Sequence, residues 1–165
     1  MSTLTLIVLA RAIHVLAGVA WVGAVFVLAV IVQPIGARHG AEGAARWTGM
    51  VAMRTLNWVA VTATLTVLSG IYLFAAVHGG DHSAGGIVLM VGAVAALLAL
   101  VAGFGVGRPA AVKVSKLLAG PQSADAAARI AALRRRVVLA VRTAAGLLAV
   151  AAVAMAVFRY ATAFV

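Results

Sequence analysis

The chain has 165 residues, of which 65% are hydrophobic and 10% charged. Its mean hydropathy is +1.18, and a water-soluble domain of this size and composition would expose large apolar patches. The 13 Lys+Arg against 3 Asp+Glu give a formal net charge of +10. In a soluble protein that excess would suggest nucleic acid, but here the cations fall between apolar stretches, where they set orientation in a bilayer. The absence of cysteine excludes disulfides, thiolate zinc sites and thiol chemistry within the chain.

A helix needs about 20 apolar residues to cross a bilayer. Four stretches meet that length, roughly 6–32, 56–77, 86–106 and 137–158. The expected fold is all-α: a polytopic four-transmembrane-helix bundle forming one transmembrane domain over 1–165. The first stretch is too long for a cleavable signal peptide and lacks a basic leader. It contains "RAIHVLAGVAWVG", with His14 inside the apolar run. The connection after it carries Arg38, Arg46 and Arg54. Its "AEGAARWTGMVAMRT" is expected to be helical and to run straight into span two. In that span Thr62, Thr64, Thr66 and Ser69 are mild polar groups able to bond to their own helix backbone. The next connection, "HGGDHSAGG", has no Lys or Arg, and span three has no charge between Asp81 and Arg108. The third connection carries Arg108, Lys113, Lys116, Arg129, Arg134, Arg135 and Arg136. Its "SADAAARIAALRRRV" opens with a capping Ser or Asp and should run into span four. In span four 16 residues separate Arg142 from Arg159, about 24 Å of helix. That is short of the hydrocarbon thickness, so at least one of these arginines must snorkel or face the bundle interior.

Ten basic residues thus fall on one side, with Arg11 and Arg159 marking the other. The positive-inside rule places both chain ends and the 78–86 connection outside.

Spans one and three share a pattern. One ends in "QPIGARHGAEGAAR" and the other in "RPAAVKVSKLLAGPQSADAAAR", each with a proline at the inner edge, then an acidic residue, Ala-rich sequence and Arg. The prolines are 75 positions apart. Two helix pairs in one orientation imply a pseudo-two-fold axis along the membrane normal. Gly103-x-x-x-Gly107 and the small residues Ala144, Ala145, Gly146 and Ala149 would allow close helix contact.

The expected orientation gathers His14, His78, His82, Asp81, Met90 and Met155 on the outer side. Histidine with methionine suits copper, or haem iron as axial ligands. The 75-residue offset sets His14 opposite position 89, beside Met90, so a planar cofactor between spans one and three is one arrangement. Gly18, one turn from His14, would leave a flat surface beside such a ring. Trp21 could pack its edge, and Arg11 and Arg159 could pair with propionates. Each residue also has a plainer reading: Gly18 and Trp21 as helix packing, the methionines as apolar filler, His78 and His82 as solvated loop residues. For His14 the plainer reading is a hydrogen-bonded packing residue or proton relay. The candidate metal ligands are therefore His14, His78, His82, Met90 and Met155. Motifs such as H-E-x-x-H, a phosphate loop, a Ser–His–Asp grouping and paired intramembrane carboxylates are absent.

"HVLAGVAWVGAVF" resembles the opening helix of the copper-resistance protein D (CopD) family and related four-helix bacterial membrane proteins. In these, a His is followed seven residues later by Trp and then Gly. "LSGIYLF" is similar to the end of their second helix and "RPAAVKVSKL" to the basic connection after their third. The resemblance implies inner-membrane copper handling or transport, with His14 as the functional histidine and Trp21 and Gly23 as its companions. The same opening motif is similar to that of the HemJ-type protoporphyrinogen oxidases, which bind haem b. That family has a lysine at the start of the third helix, and "GGIVLMVGAV" has none. The expected function is a bacterial inner-membrane protein binding copper or haem b at an outer site centred on His14, for metal handling, transport or electron transfer. The alternative is a cofactor-free accessory or scaffold subunit, self-associated or in a larger membrane complex, and a haem-dependent porphyrinogen oxidase is a third reading. The partner in every case is the lipid bilayer, not nucleic acid.

Overall fold

A computed structural model describes residues 2–38, 40–121 and 123–164, with side chains described for all of these except 40–53 and 162–164. The described residues are helical, without strands, and four helices are long and apolar enough to cross a membrane.

The first span begins at Ser2, whose side chain accepts from the Thr5 amide, and runs as α1 (Thr3–Val27). It continues through a π-helical turn, π1 (Leu28–Val32), into α2 (Gln33–Arg38). The second span is the distal part of α3 (Gly40–Val77). A short turn follows, in which Gly80 takes a left-handed φ of 83°, a conformation open to glycine because it lacks Cβ. The third span is α4 (Ala84–Val101), capped by Ser83, followed by π2 (Ala102–Gly107) and α5 (Arg108–Leu118). The fourth is α6 (Ala124–Val157), capped by Ser123, which ends in a 3₁₀ segment, Phe158–Phe164. As the sequence suggested, both basic connections extend the spans that follow them as continuous helix.

Each π-helix has the same local cause. Pro34 and Pro109 have no N–H to give to the carbonyl four residues back, and their rings crowd it. The preceding turn widens, so that the Gln33 amide reaches Leu28 O and the Arg108 amide reaches Gly103 O, five residues back in both cases. The two π-helices lie at the same 75-residue offset as the prolines, which makes the sequence repeat a structural one.

The bundle consists of two hairpins. α1 packs along α3, and α4 packs along α6; between the hairpins, α1 touches α6 and α3 touches α4 more lightly. That arrangement is the one a two-fold axis along the bundle would generate. Glycines of α4 lie at close contacts with α6. A Cβ on Gly92 of α4 would lie 2.9 Å from Ala154 Cβ of α6, and one on Gly85 would lie 2.8 Å from the Phe158 carbonyl oxygen. Glycine thus sets the α4–α6 spacing.

The core is alanine-rich: Ala63, Ala95, Ala96, Ala99, Ala144, Ala145 and Ala151 surround Trp21 and Leu148. The larger aliphatic side chains point outward, Leu16 and Val19 of α1 and Leu139 and Val153 of α6 among them. Only 17% to 33% of each span's most apolar window is buried. In water such a surface would be untenable, and in lipid it is the expected one, because helices there associate through small residues and not by hiding large ones. The protein is therefore a multi-pass membrane helical bundle. Arg142 is exposed, as are Arg11 and Arg159. Neither Arg142 nor Arg159 is turned into the bundle interior.

The two ends of the bundle differ in chemistry. The terminal end carries both chain ends and the 78–83 turn, and the basic end carries α2, α5 and the proximal parts of α3 and α6.

Candidate functional site

His14 lies in the terminal half of α1, on the face that meets α3, and is half-buried. Its Nδ1 lies 2.8 Å from the Thr66 carbonyl oxygen and 3.4 Å from Ser69 Oγ. A carbonyl oxygen only accepts, so Nδ1 carries the hydrogen and donates it. The lone pair of the neutral ring is therefore on Nε2. A ring held through one nitrogen with the lone pair of the other left unused is an arrangement also found in metal- and haem-binding histidines.

The local sequence of α3 makes this approach possible. A Cβ on Gly70 would come within 2.8 Å of His14 Cε1 and 3.1 Å of Nδ1; the imidazole occupies the space that any side chain there would take. The neighbouring hydroxyls bond within their own helix: Thr62 to the Trp58 and Val59 carbonyls, Thr66 to Thr62 O, Ser69 to Leu65 O and Thr66 O. Thr66 O therefore accepts from both Ser69 and His14, which ties α1 to α3 at one point.

The other residues singled out from sequence fall into separate groups. Gly18 faces Thr66, with a Cβ there 3.6 Å from Thr66 Cγ2, an ordinary contact; it packs α1 on α3. Trp21 is 3% exposed and fills the centre of the bundle against the alanines of α4 and α6. Gly23 has open space where its side chain would be. Met90, 47% exposed on α4, and half-buried Met155 on α6 belong to the hairpin that does not carry His14. Leu89, the positional counterpart of His14, is half-buried on α4.

At the turn of the terminal end, His78 Nδ1 lies 3.9 Å from Asp81 Oδ2. The His78 ring meets Phe158 edge-on at 5.8 Å and 88°. Asp81 Oδ1 accepts from the Ser83 amide at 2.9 Å. Hydrogen bonds from Ser83, with His78 and His82 adding to them, hold the exposed Asp81 carboxyl below its ordinary value of 3.8. His82 is exposed. Among the described residues, no three His, Asp or Glu side chains converge on a position where they could hold a metal ion.

The basic half of the bundle contains a small apolar cavity of about 60 Å³ between the hairpins, lined by Trp21, Val25, Phe104 and Val141 among others. Arg108 stands at its edge, where its guanidinium lies 5.8 Å from the Phe104 ring centroid and donates to Asn57 Oδ1 at 3.4 Å.

Sequence reasoning identified His14 but not the residues that hold it. In the sequence Thr66 and Ser69 are marked only as groups able to bond within their own helix, and Gly70 only as part of the "LSGIYLF" motif. The signal that marks them, a glycine and two hydroxyls on one face of span two, becomes meaningful only with the α1–α3 register. No family model matches the chain, and no curated protein or solved structure matches it.

Proposed function

We propose that this protein is a CopD-like integral membrane protein that binds copper or haem b through Nε2 of His14, on the outer side of a bacterial inner membrane. The observation that carries this reading is the His14 Nδ1–Thr66 carbonyl hydrogen bond. It fixes the ring and its tautomer and leaves Nε2 as the ligating atom. Of the two groups, haem b is the better match. One imidazole suffices to hold it, whereas copper draws on several nitrogen or sulfur donors, and the polar atoms that meet the ring are oxygens of Thr66 and Ser69. A haem bound there would supply one-electron chemistry. Gly70 leaves the ring the space it occupies, and the Thr66 carbonyl orients it through the Nδ1 hydrogen. Exposed Arg11 and Arg159 are available to carboxylates at the interface. The outside position of His14 rests on the ten basic residues of the opposite end.

A second reading, a cofactor-free accessory subunit, is favoured by the same hydrogen bond taken as a tie between two helices. An optical spectrum of the detergent-purified protein, oxidised and then reduced with dithionite, separates these readings when metal is measured on the same sample. A Soret band that shifts on reduction, lost in His14→Ala while helicity is retained, is the expected result. Near-stoichiometric copper lost in the same variant assigns the site to copper. A colourless, metal-free wild-type protein overturns the binding reading in favour of the accessory one.

A further inference from the structure

At the basic end, α5 and α6 diverge around a groove of about 440 Å³ lined by Lys113, Lys116, Leu117, Arg129, Ala132, Leu133 and Arg136. α5 is anchored to α6 below it, with Ala110 and Val114 buried on one helix and Ala126 and Ile130 on the other. The lysines are one turn apart on α5. The arginines are two turns apart on α6, about 10 Å along the axis. Among the residues whose side chains are described, the carboxylate at this end is Asp125, which pairs with Arg129 Nε at 3.1 Å. Lys113, Lys116 and Arg136 are exposed and have no carboxylate partner among the described residues. Three cations without a carboxylate partner among the described residues therefore line one groove together with Leu117, Ala132 and Leu133.

We propose that this groove binds the headgroup of an anionic phospholipid, with the phosphate between Lys113, Lys116 and Arg136 and the glycerol end against Leu117, Ala132 and Leu133. The depth is right for a lipid. Lys113 is five residues beyond Arg108, where the apolar stretch ends, about 7.5 Å of helix. Arg136 adjoins the apolar stretch of α6 that begins at Val137. Both lie in the headgroup layer, about 5–8 Å thick on each side of the hydrocarbon. Basic pockets between helices at this depth recognise anionic headgroups. The apolar lining also distinguishes the site from a solvated surface for an acidic protein or nucleic acid. The inference is independent of the His14 reading.

The test uses the full chain in a neutral detergent, exposed to equal amounts of phosphatidylglycerol and phosphatidylcholine of the same acyl composition, with bound lipid counted by native mass spectrometry. Each basic residue near the surface contributes roughly five-fold to association. Phosphatidylglycerol should therefore exceed phosphatidylcholine on the wild type by at least about ten-fold. The combined Lys113→Gln, Lys116→Gln and Arg136→Gln variant should lose that preference, while Arg135→Gln, an exposed arginine outside the groove, should keep it. Circular dichroism confirms helicity, and single Lys113→Gln and Arg136→Gln variants, each expected to weaken the preference roughly five-fold, replace the triple variant if it fails to fold. Equal retention of the two lipids by the wild type overturns the proposal. So does a folded triple variant that binds phosphatidylglycerol like Arg135→Gln. Inorganic phosphate adducts that displace the lipid with the same dependence on the three cations would assign the groove to free phosphate and overturn it as well.

Discussion

A carbonyl oxygen in one helix decides which nitrogen of a histidine in another is available. Thr66 O accepts from His14 Nδ1, and Gly70 gives the ring room to get there. Two glycine substitutions separate the roles of neighbouring residues. Gly70→Ala puts a methyl group 2.8 Å from His14 Cε1, so the ring or the α1–α3 spacing must shift. The expected cost is about 1–3 kcal/mol, the usual range for overpacking, read as a lower melting temperature in detergent together with loss of any bound group. Gly18→Ala meets Thr66 Cγ2 at 3.6 Å and should leave both readouts near wild type. A large spectral effect of Gly18→Ala with little from Gly70→Ala would instead restore Gly18 as the floor of the site. His14 was legible in the sequence because a titratable ring in an apolar run is conspicuous. Gly70 was not, because nothing in a glycine's own surroundings says which side chain from another helix will lie on it.

At the scale of elements, local chemistry sets where helices begin and where they deform. Ser2, Ser83 and Ser123 each cap a helix by accepting from an amide three residues on, a use of serine that satisfies an otherwise unpaired donor. Ahead of α4, Asp81 braces the turn by accepting from the Ser83 amide. Its carboxyl is held below 3.8, chiefly by Ser83. Its pKa is lower folded than unfolded, so the stabilisation is complete at neutral pH, begins to fall near 3.8 and is lost as pH passes through the depressed value. The Ser83 amide resonance should follow that titration, with a midpoint below 3.8; a midpoint at or above it would mean that the brace is not formed in solution. The helical extensions of spans two and four were legible from Ala-rich sequence, and that of span four also from its capping serine. The π-helices were not: the prolines were visible, but a proline can equally end a helix or kink it, and the widening preserves a continuous span that packing requires.

The whole molecule carries its charge at one end and its apolar surface around the middle. If the positive-inside rule governs insertion, a reporter active only outside the cytoplasm should work when fused after Val165 and fail when inserted at Gly120. The reverse pattern would invert the proposed orientation and move His14 to the cytoplasmic half. The chain has no cysteine, so single introduced cysteines at the exposed Thr3, His82 and Ala119 can be labelled from either side against a clean background to check the same topology. Four spans could be counted directly from hydropathy, since hydrocarbon thickness dictates their length. Their pairing was implied by the repeat, which divides them into two helix pairs, and α1 with α3 and α4 with α6 are the pairs that form. His14 and Met90, at neighbouring places in the repeat alignment, accordingly belong to different hairpins.

The two π-helices, each ahead of a proline, mark the two hairpins as copies of one pattern. The copies differ at the place where they could matter most: the first carries a histidine tied across to its partner helix, and the second has Leu89 there. A scaffold with two-fold geometry thus carries this imidazole on one half alone, and the symmetry of the backbone is not matched by symmetry of its chemistry.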